Sequence, residues 1–250
     1  MSEIWAACSA RAERVPLAGV VYRLVESQEQ VATNSLVRTL AEQALLEDLI
    51  ESSKPRHSAT TSGLHYLLAT PFRYPPLPWG SRFGSRFEPG LFYGARNVGT
   101  TLAECAYYRF VFWSGMATPP PQPLNTSHTM FNASLRTERG LRLQEPPFDE
   151  FMEVLTDPRL YDATQALGAR LREEGIEAFE YRSARDPGCG INVALFSPAA
   201  LAANRPDVLE EWLCNTNAER VSYYSRYGGG MHEFPLSIFV VDGVLPLPAA

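Results

Sequence analysis

The chain has 250 residues, is 45% hydrophobic and 20% charged, and carries a net charge of −6. This is an ordinary globular composition, long enough for one large domain with its own core. Acids and bases are interspersed, which excludes a basic nucleic-acid face, and no apolar run approaches the ~20 residues that span a bilayer.

The first residues, MSEIWAACSARAERVP, lack the basic start and apolar core of a secretion signal, so a cytoplasmic protein is expected. Residues 18–25, AGVVYRLV, read as a short buried strand carrying Tyr22 and Arg23. Residues 34–53 read as a helix capped by Asn34 or Ser35, with Leu36, Leu40, Ala44, Leu45 and Leu49 at helical spacing. Its acidic face (Glu42, Glu47, Asp48, Glu51) reads most simply as solvated. Residues 62–80 are rich in proline and aromatic residues and read as an ordered loop packed on the body.

Residues 80–113 come next and hold a doubled GSRF, with Arg82 and Arg86, then GLFYGA with Tyr93, then an amphipathic helix opened by Glu104. ATPPPQP at 117–123 reads as a surface connection, and 127–143 as a hairpin turning near Arg139–Gly140. A helix is expected over 158–174, stopped by Gly175. Strands follow at 176–183 and 191–196, separated by the turn DPGCG. Ser197–Pro198 opens a short helix, and the last 35 residues read as a strand pair around Gly228–Gly230. Strands dominate the second half and helices do not alternate with them regularly, which favours an α+β fold.

The chemistry is not of a metal or a familiar nucleophile. Cys8, Cys105, Cys189 and Cys214 form no C-x-x-C pair, His57, His65, His128 and His232 have no ligand spacing, and there is no G-x-S-x-G serine. Arg82 and Arg86 suit a pyrophosphate, since a guanidinium donates in a fork and stays charged; a surface arginine pair fits the pattern equally. Tyr93 reads as a core tyrosine or as a face for a flat cationic ring. Thr101-x-x-Glu104 reads as a capping box. Alternatively, a carboxylate in a first helical turn can point into a cleft, favoured in its charged form by the helix N-terminus. Ser183, in YRSARDPG, suits a strand end, with Arg182 and Arg185 beside it.

Taken together, PFRYPPLPWGSRF, GLFYGA, TTLAECAYYR, YRSARDPG and INVALF resemble the RES-domain family, over about Val20 to Phe196. The family arginine falls on Arg82, its tyrosine on Tyr93, its glutamate on Glu104 and its serine on Ser183; the steps from 82 to 93 and from 93 to 104 are equal. Arg86 competes with Arg82 for the arginine, and Tyr22–Arg23 matches the family's early tyrosine–arginine strand. The resemblance implies an ADP-ribosyltransferase-like fold: a split, mainly antiparallel sheet with flanking helices, in one domain over residues 1–250. Residues 34–53 and 115–170 are additions to its compact form.

It also implies a toxin of a toxin–antitoxin pair that consumes NAD by phosphorolysis or hydrolysis. The alternatives are a mono-ADP-ribosyltransferase with a protein target and a non-catalytic interaction domain. Arg82, Glu104 and Ser183 would be catalytic; Arg82, Arg86, Tyr93, Tyr22 and Arg23 would bind NAD as substrate. No Xre-type DNA-binding segment is present, so the antitoxin is expected on a separate chain.

Overall fold

The computed structural model describes residues 2–27, 36–55, 59–226 and 228–248. A short helix α1 (Glu3–Cys8), not expected from the sequence, is capped by Ser2, whose Oγ accepts from the Trp5 amide. It buries Ile4 and Cys8 in the core that also holds Leu167 and Leu171. The first strand, β1, runs from Val15 to Glu26, longer than the expected 18–25, and buries Leu17, Val21 and Leu24.

Helix α2 (Leu40–Ser53) starts later than expected. Thr39 Oγ1 caps it by accepting from the Glu42 amide, and Glu42 accepts from the Arg38 amide. The expected caps Asn34 and Ser35 lie outside the described residues. None of its residues is buried, and Leu36, Leu40, Leu45 and Leu49 are exposed, so the leucine spacing does not mark a core face.

The reading of 62–80 as loop is corrected over helix α3 (Tyr66–Arg73). Pro71 lies inside it and leaves the Leu67 carbonyl without its helical donor, a cost set against the burial of Leu67, Leu68 and Ala69. Strand β2 is Phe92–Ala95, and helix α4 is Val98–Ser114. No helix or strand occupies 115–123.

The hairpin expected over 127–143 is instead one strand, β3 (Leu124–Arg142). Gly140 does not turn. It pairs with Val15 and Ala178, and a Cβ there would collide with Leu17. The glycine permits close approach of β1, and strand alternation alone cannot distinguish this from a turn. Two helices follow, α5 (Met152–Leu155) and α6 (Asp162–Glu173); the latter ends, as expected, at Gly175 with φ +72°. Strands β4 (Ala178–Arg182), β5 (Ile191–Leu195), β6 (Leu209–Thr216), β7 (Arg220–Ser225) and β8 (Met231–Pro235) complete the chain. A single 3-10 turn at Pro198–Ala200 follows β5. The strand pair expected around Gly228–Gly230 is β7–β8.

The sheet order is β1-β2-β5-β4-β3-β6-β7-β8, with β1 also paired to β3. Only β3–β4 is parallel. With its flanking helices this is a mainly antiparallel α+β fold. One detail positions the site. β1 pairs with β3 along nearly its whole length but meets β2 in register only at Tyr22 and Ala95. Beyond that point β1 and β2 part, and the sheet is open between them.

Candidate active site

A cavity of about 310 Å³ opens at that parting, lined by β1, β2, α4 and the loop before β2. A pocket of this size, with a few convergent polar groups, is where a small-molecule site is expected.

Glu104 is its one carboxylate. The expected capping box is not formed. Helix α4 begins at Val98, and its cap is Asn97, whose Oδ1 accepts from the Thr100 amide. Thr101 lies inside the helix and donates to the carbonyls of Asn97 and Tyr22. Glu104 therefore stands in the second turn, where it satisfies no backbone amide. Its side chain is held from elsewhere. Ser183 Oγ donates to Oε1 at 2.6 Å, and Asn192 Nδ2 donates to the same oxygen at 2.5 Å. Oε2 has no hydrogen-bond partner among the described residues.

Ser183 is buried, and its hydroxyl is fully used: it also accepts from the Arg185 and Asp186 amides at 3.1 and 3.0 Å. These three bonds tie Ser183 to Glu104 on one side and to its own turn on the other. Asp186 closes the circuit, accepting from Thr100 Oγ1 of α4 at 2.6 Å. Asn192 went unnoticed in the sequence. The available signal was an amide in the apolar run INVALF, where a buried polar group must find a partner.

Three guanidinium groups line the cavity, and none forms an ion pair among the described residues. Arg23 donates to the Tyr93 carbonyl at 2.6 Å and lies over Phe92. Arg82 donates to the Asp157 carbonyl at 2.8 Å and lies over Tyr161. Arg185 is buried, donates to the Pro158 carbonyl at 2.7 Å and stacks 3.6 Å from the Tyr107 ring centroid. Carbonyl dipoles and ring faces orient these cations without neutralising them. Burial pushes the Arg23 pKa down from its ordinary value, the cost of holding a cation there with no counter-charge.

Tyr93 lines the cavity, and its hydroxyl is pinned by Ser81 Oγ at 2.9 Å and by the Phe83 amide at 3.1 Å. Burial pushes its pKa up to about 12. Tyr93 thus fastens the Arg82 loop onto β2. Helix α6 grips that loop from the other side. Gln165 donates to the Trp79 and Ser81 carbonyls, and a Cβ on Gly168 would collide with the Phe83 carbonyl. Tyr22 lines the cavity beside Arg23. Cys105 does too, but burial pushes its thiol up to about 12, which leaves it no thiolate with which to attack.

Arg86 and Arg182 do not line the cavity. Arg86 is exposed over Phe87, and Arg182 is exposed beside the Cys189 carbonyl. Tyr161 and Tyr181 do line it, and the sequence offered no signal for either. Among the described residues no group of three or more His, Cys, Asp or Glu side chains could hold a metal, and no helix is long and apolar enough to cross a membrane.

The fold and the cavity together define an α+β protein with a cationic, tyrosine-lined site around one carboxylate. A family model for the RES domain matches residues 56–217, well over half of the chain. The chain belongs to the RES-domain family. The matched segment holds Arg82, Tyr93, Glu104 and Ser183, begins after Tyr22 and Arg23, and ends just past β6. No curated protein matches the chain. Membership makes this a toxin-like, NAD-related domain at the level of the family, one associated with NAD-acting enzymes.

Proposed function

We propose that the chain binds NAD in this cavity and cleaves its nicotinamide N-glycosidic bond. The observation that carries the reading is Glu104: one oxygen is held by Ser183 and Asn192, while among the described residues the other has no partner and the three arginines of the cavity have no carboxylate partner. A pyrophosphate supplies the missing negative charge at the arginines.

The chemistry then needs little more. The bond from C1′ to the nicotinamide nitrogen breaks, and its electron pair returns to the ring, which leaves neutral. No general acid is required at that step. Positive charge grows on the ribose, and a fixed, preorganised carboxylate stabilises it. Glu104 is the catalytic residue. Ser183 and Asn192 position it. Arg82 and Arg23 hold the pyrophosphate, and Tyr93 keeps the Arg82 loop in place while offering its ring to the nicotinamide. Water attacking C1′ yields ADP-ribose and a proton; inorganic phosphate yields ADP-ribose 1-phosphate. In the cell the protein acts as the toxin of a cytoplasmic toxin–antitoxin pair, restrained by an Xre-type antitoxin on a separate chain.

The test is to identify the products from labelled NAD with and without inorganic phosphate, in buffer and in cell extract. Free nicotinamide with ADP-ribose or its 1-phosphate is the expected result. Label transferred to a protein band would make the chain a mono-ADP-ribosyltransferase. No nicotinamide under any condition would overturn the enzyme reading in favour of an interaction domain.

A further inference from the structure

A second groove, of about 420 Å³, lies against the first cavity. Arg23 lines both. The groove is walled by the end of β1, by Thr129 of β3, by the start of β6 and by the first turns of α3. Its chemistry is opposite to that of the first cavity. Glu26, Glu210 and Glu211 line it, and Arg23 is its only cation among the described residues. Away from Arg23 such a lining repels phosphate and accepts hydrogen bonds from hydroxyl or amino groups.

The carboxylates are not equally committed. Glu26 pairs with Arg109, and Glu211 with Arg226. Among the described residues Glu210 takes only a long 3.4 Å hydrogen bond from Trp212 Nε1. At the α3 end His65 and Tyr66 present adjoining rings, with centroids 4.7 Å apart. Tyr66 is 57% exposed. His65 Nδ1 accepts from the Leu67 amide at 3.3 Å, which leaves the ring proton on Nε2. Flat faces, a weakly engaged carboxylate and a cation lining one groove are the groups that a nucleoside joined to a phosphate requires.

We propose that this groove binds the adenosine half of the dinucleotide. The purine stacks on the Tyr66–His65 pair, Glu210 accepts from the ribose hydroxyls, and the pyrophosphate sits at Arg23 between the two cavities. Volume agrees: about 310 Å³ is at the small end for a ligand pocket and suits one nucleotide, not two. The assignment rests on the NAD reading above for the identity of the ligand.

The test uses the full chain and its Tyr66→Ala and Glu210→Gln variants. Tyr66 is exposed, so its truncation spares the core. Binding of ADP-ribose is measured by calorimetry, and nicotinamide release is followed from NAD and from nicotinamide mononucleotide, which lacks the adenylyl half. Both variants should weaken ADP-ribose binding, Tyr66→Ala by about tenfold. The preference for NAD over the mononucleotide should fall in step. Unaltered ADP-ribose affinity in both variants, an unaltered preference, or no binding by the parent chain would overturn the groove assignment. Failure of the catalytic reading is distinct: no nicotinamide from either substrate, with ADP-ribose still bound and still weakened by Tyr66→Ala.

Discussion

Gly80-Ser81-Arg82-Phe83 and Gly84-Ser85-Arg86-Phe87 are identical tetrapeptides, side by side, with opposite fates. In the first, Phe83 is fully buried between Phe179 and Tyr181, and Arg82 lines the cavity. In the second, Phe87 is 82% exposed and Arg86 lies over it in solvent. The cause is what surrounds each copy. The first is held by Tyr93 from β2 and by Gln165 and Gly168 from α6. The second makes a local turn, with the Ser85 amide donating to the Glu88 side chain and the Glu88 amide to the Ser85 carbonyl. Identical local chemistry becomes a site only where distant elements converge on it.

The phenylalanines offer the strongest way to break this contrast. Phe83→Ala should cost about 3–5 kcal/mol of stability, as for a truncated core aromatic, and Phe87→Ala about 0.5 kcal/mol or less. Urea denaturation measures both. Equal losses would mean that the two copies share one environment.

Next in size is Glu104→Gln. The amide oxygen can still accept from Ser183 and Asn192, so the geometry survives and only the charge is lost. NAD turnover should fall roughly a hundredfold or more, about 2.7–4 kcal/mol in the barrier, with the melting temperature little moved. Full turnover in the variant would return Glu104 to a structural role.

Arg82→Ala should raise KM for NAD about tenfold or more, the scale of a lost charge-assisted hydrogen bond, while Arg86→Ala leaves it near the parent value. The reverse result would exchange the roles of the two copies. This resolves an ambiguity that the sequence left open.

The last expected effect is on the fastening itself. Tyr93→Phe removes two hydrogen bonds to the Arg82 loop and should cost about 1–3 kcal/mol. It also has a pH signature. The fold holds the neutral phenol, with a pKa raised to about 12 against an ordinary value of 10. The unfolded chain therefore loses that proton first. Stability from this group is complete below pH 10 and is lost as the pH rises toward 12. Tyr93→Phe should flatten that part of the alkaline decline. Tyr107, Tyr108, Tyr181 and Tyr223, also pushed up by burial, should sustain the remainder. An unchanged alkaline profile would mean that Tyr93 is not the group being titrated.

Much of the site was legible in the chain, but for different reasons at each residue. Arg82, Tyr93, Glu104 and Ser183 were marked by the resemblance to the RES-domain family; read one at a time they passed for a surface arginine, a core tyrosine, a cap and a turn serine. Asn192 was hidden, because one amide in an apolar strand announces nothing until its partner is known. Glu104 was placed correctly in sequence but in the wrong turn of its helix, since Asn97 and Thr101 are both acceptable caps and only the backbone path decides. The leucines of α2 show the opposite failure. They repeat at helical spacing, yet no layer lies against them among the described residues.

The sequence by itself determined the α+β class, most of the strands and the set of chemical groups: guanidinium, phenol, carboxylate, hydroxyl. Those follow from local periodicity and from side-chain chemistry, which a chain carries wherever it folds. Tertiary structure alone showed which GSRF lines the cavity. It set Ser183 and Asn192 on one oxygen of Glu104, and among the described residues it left three cations without counter-charges where β1 and β2 part. Each of these depends on residues far apart in sequence being brought within hydrogen-bonding distance. No local pattern encodes that.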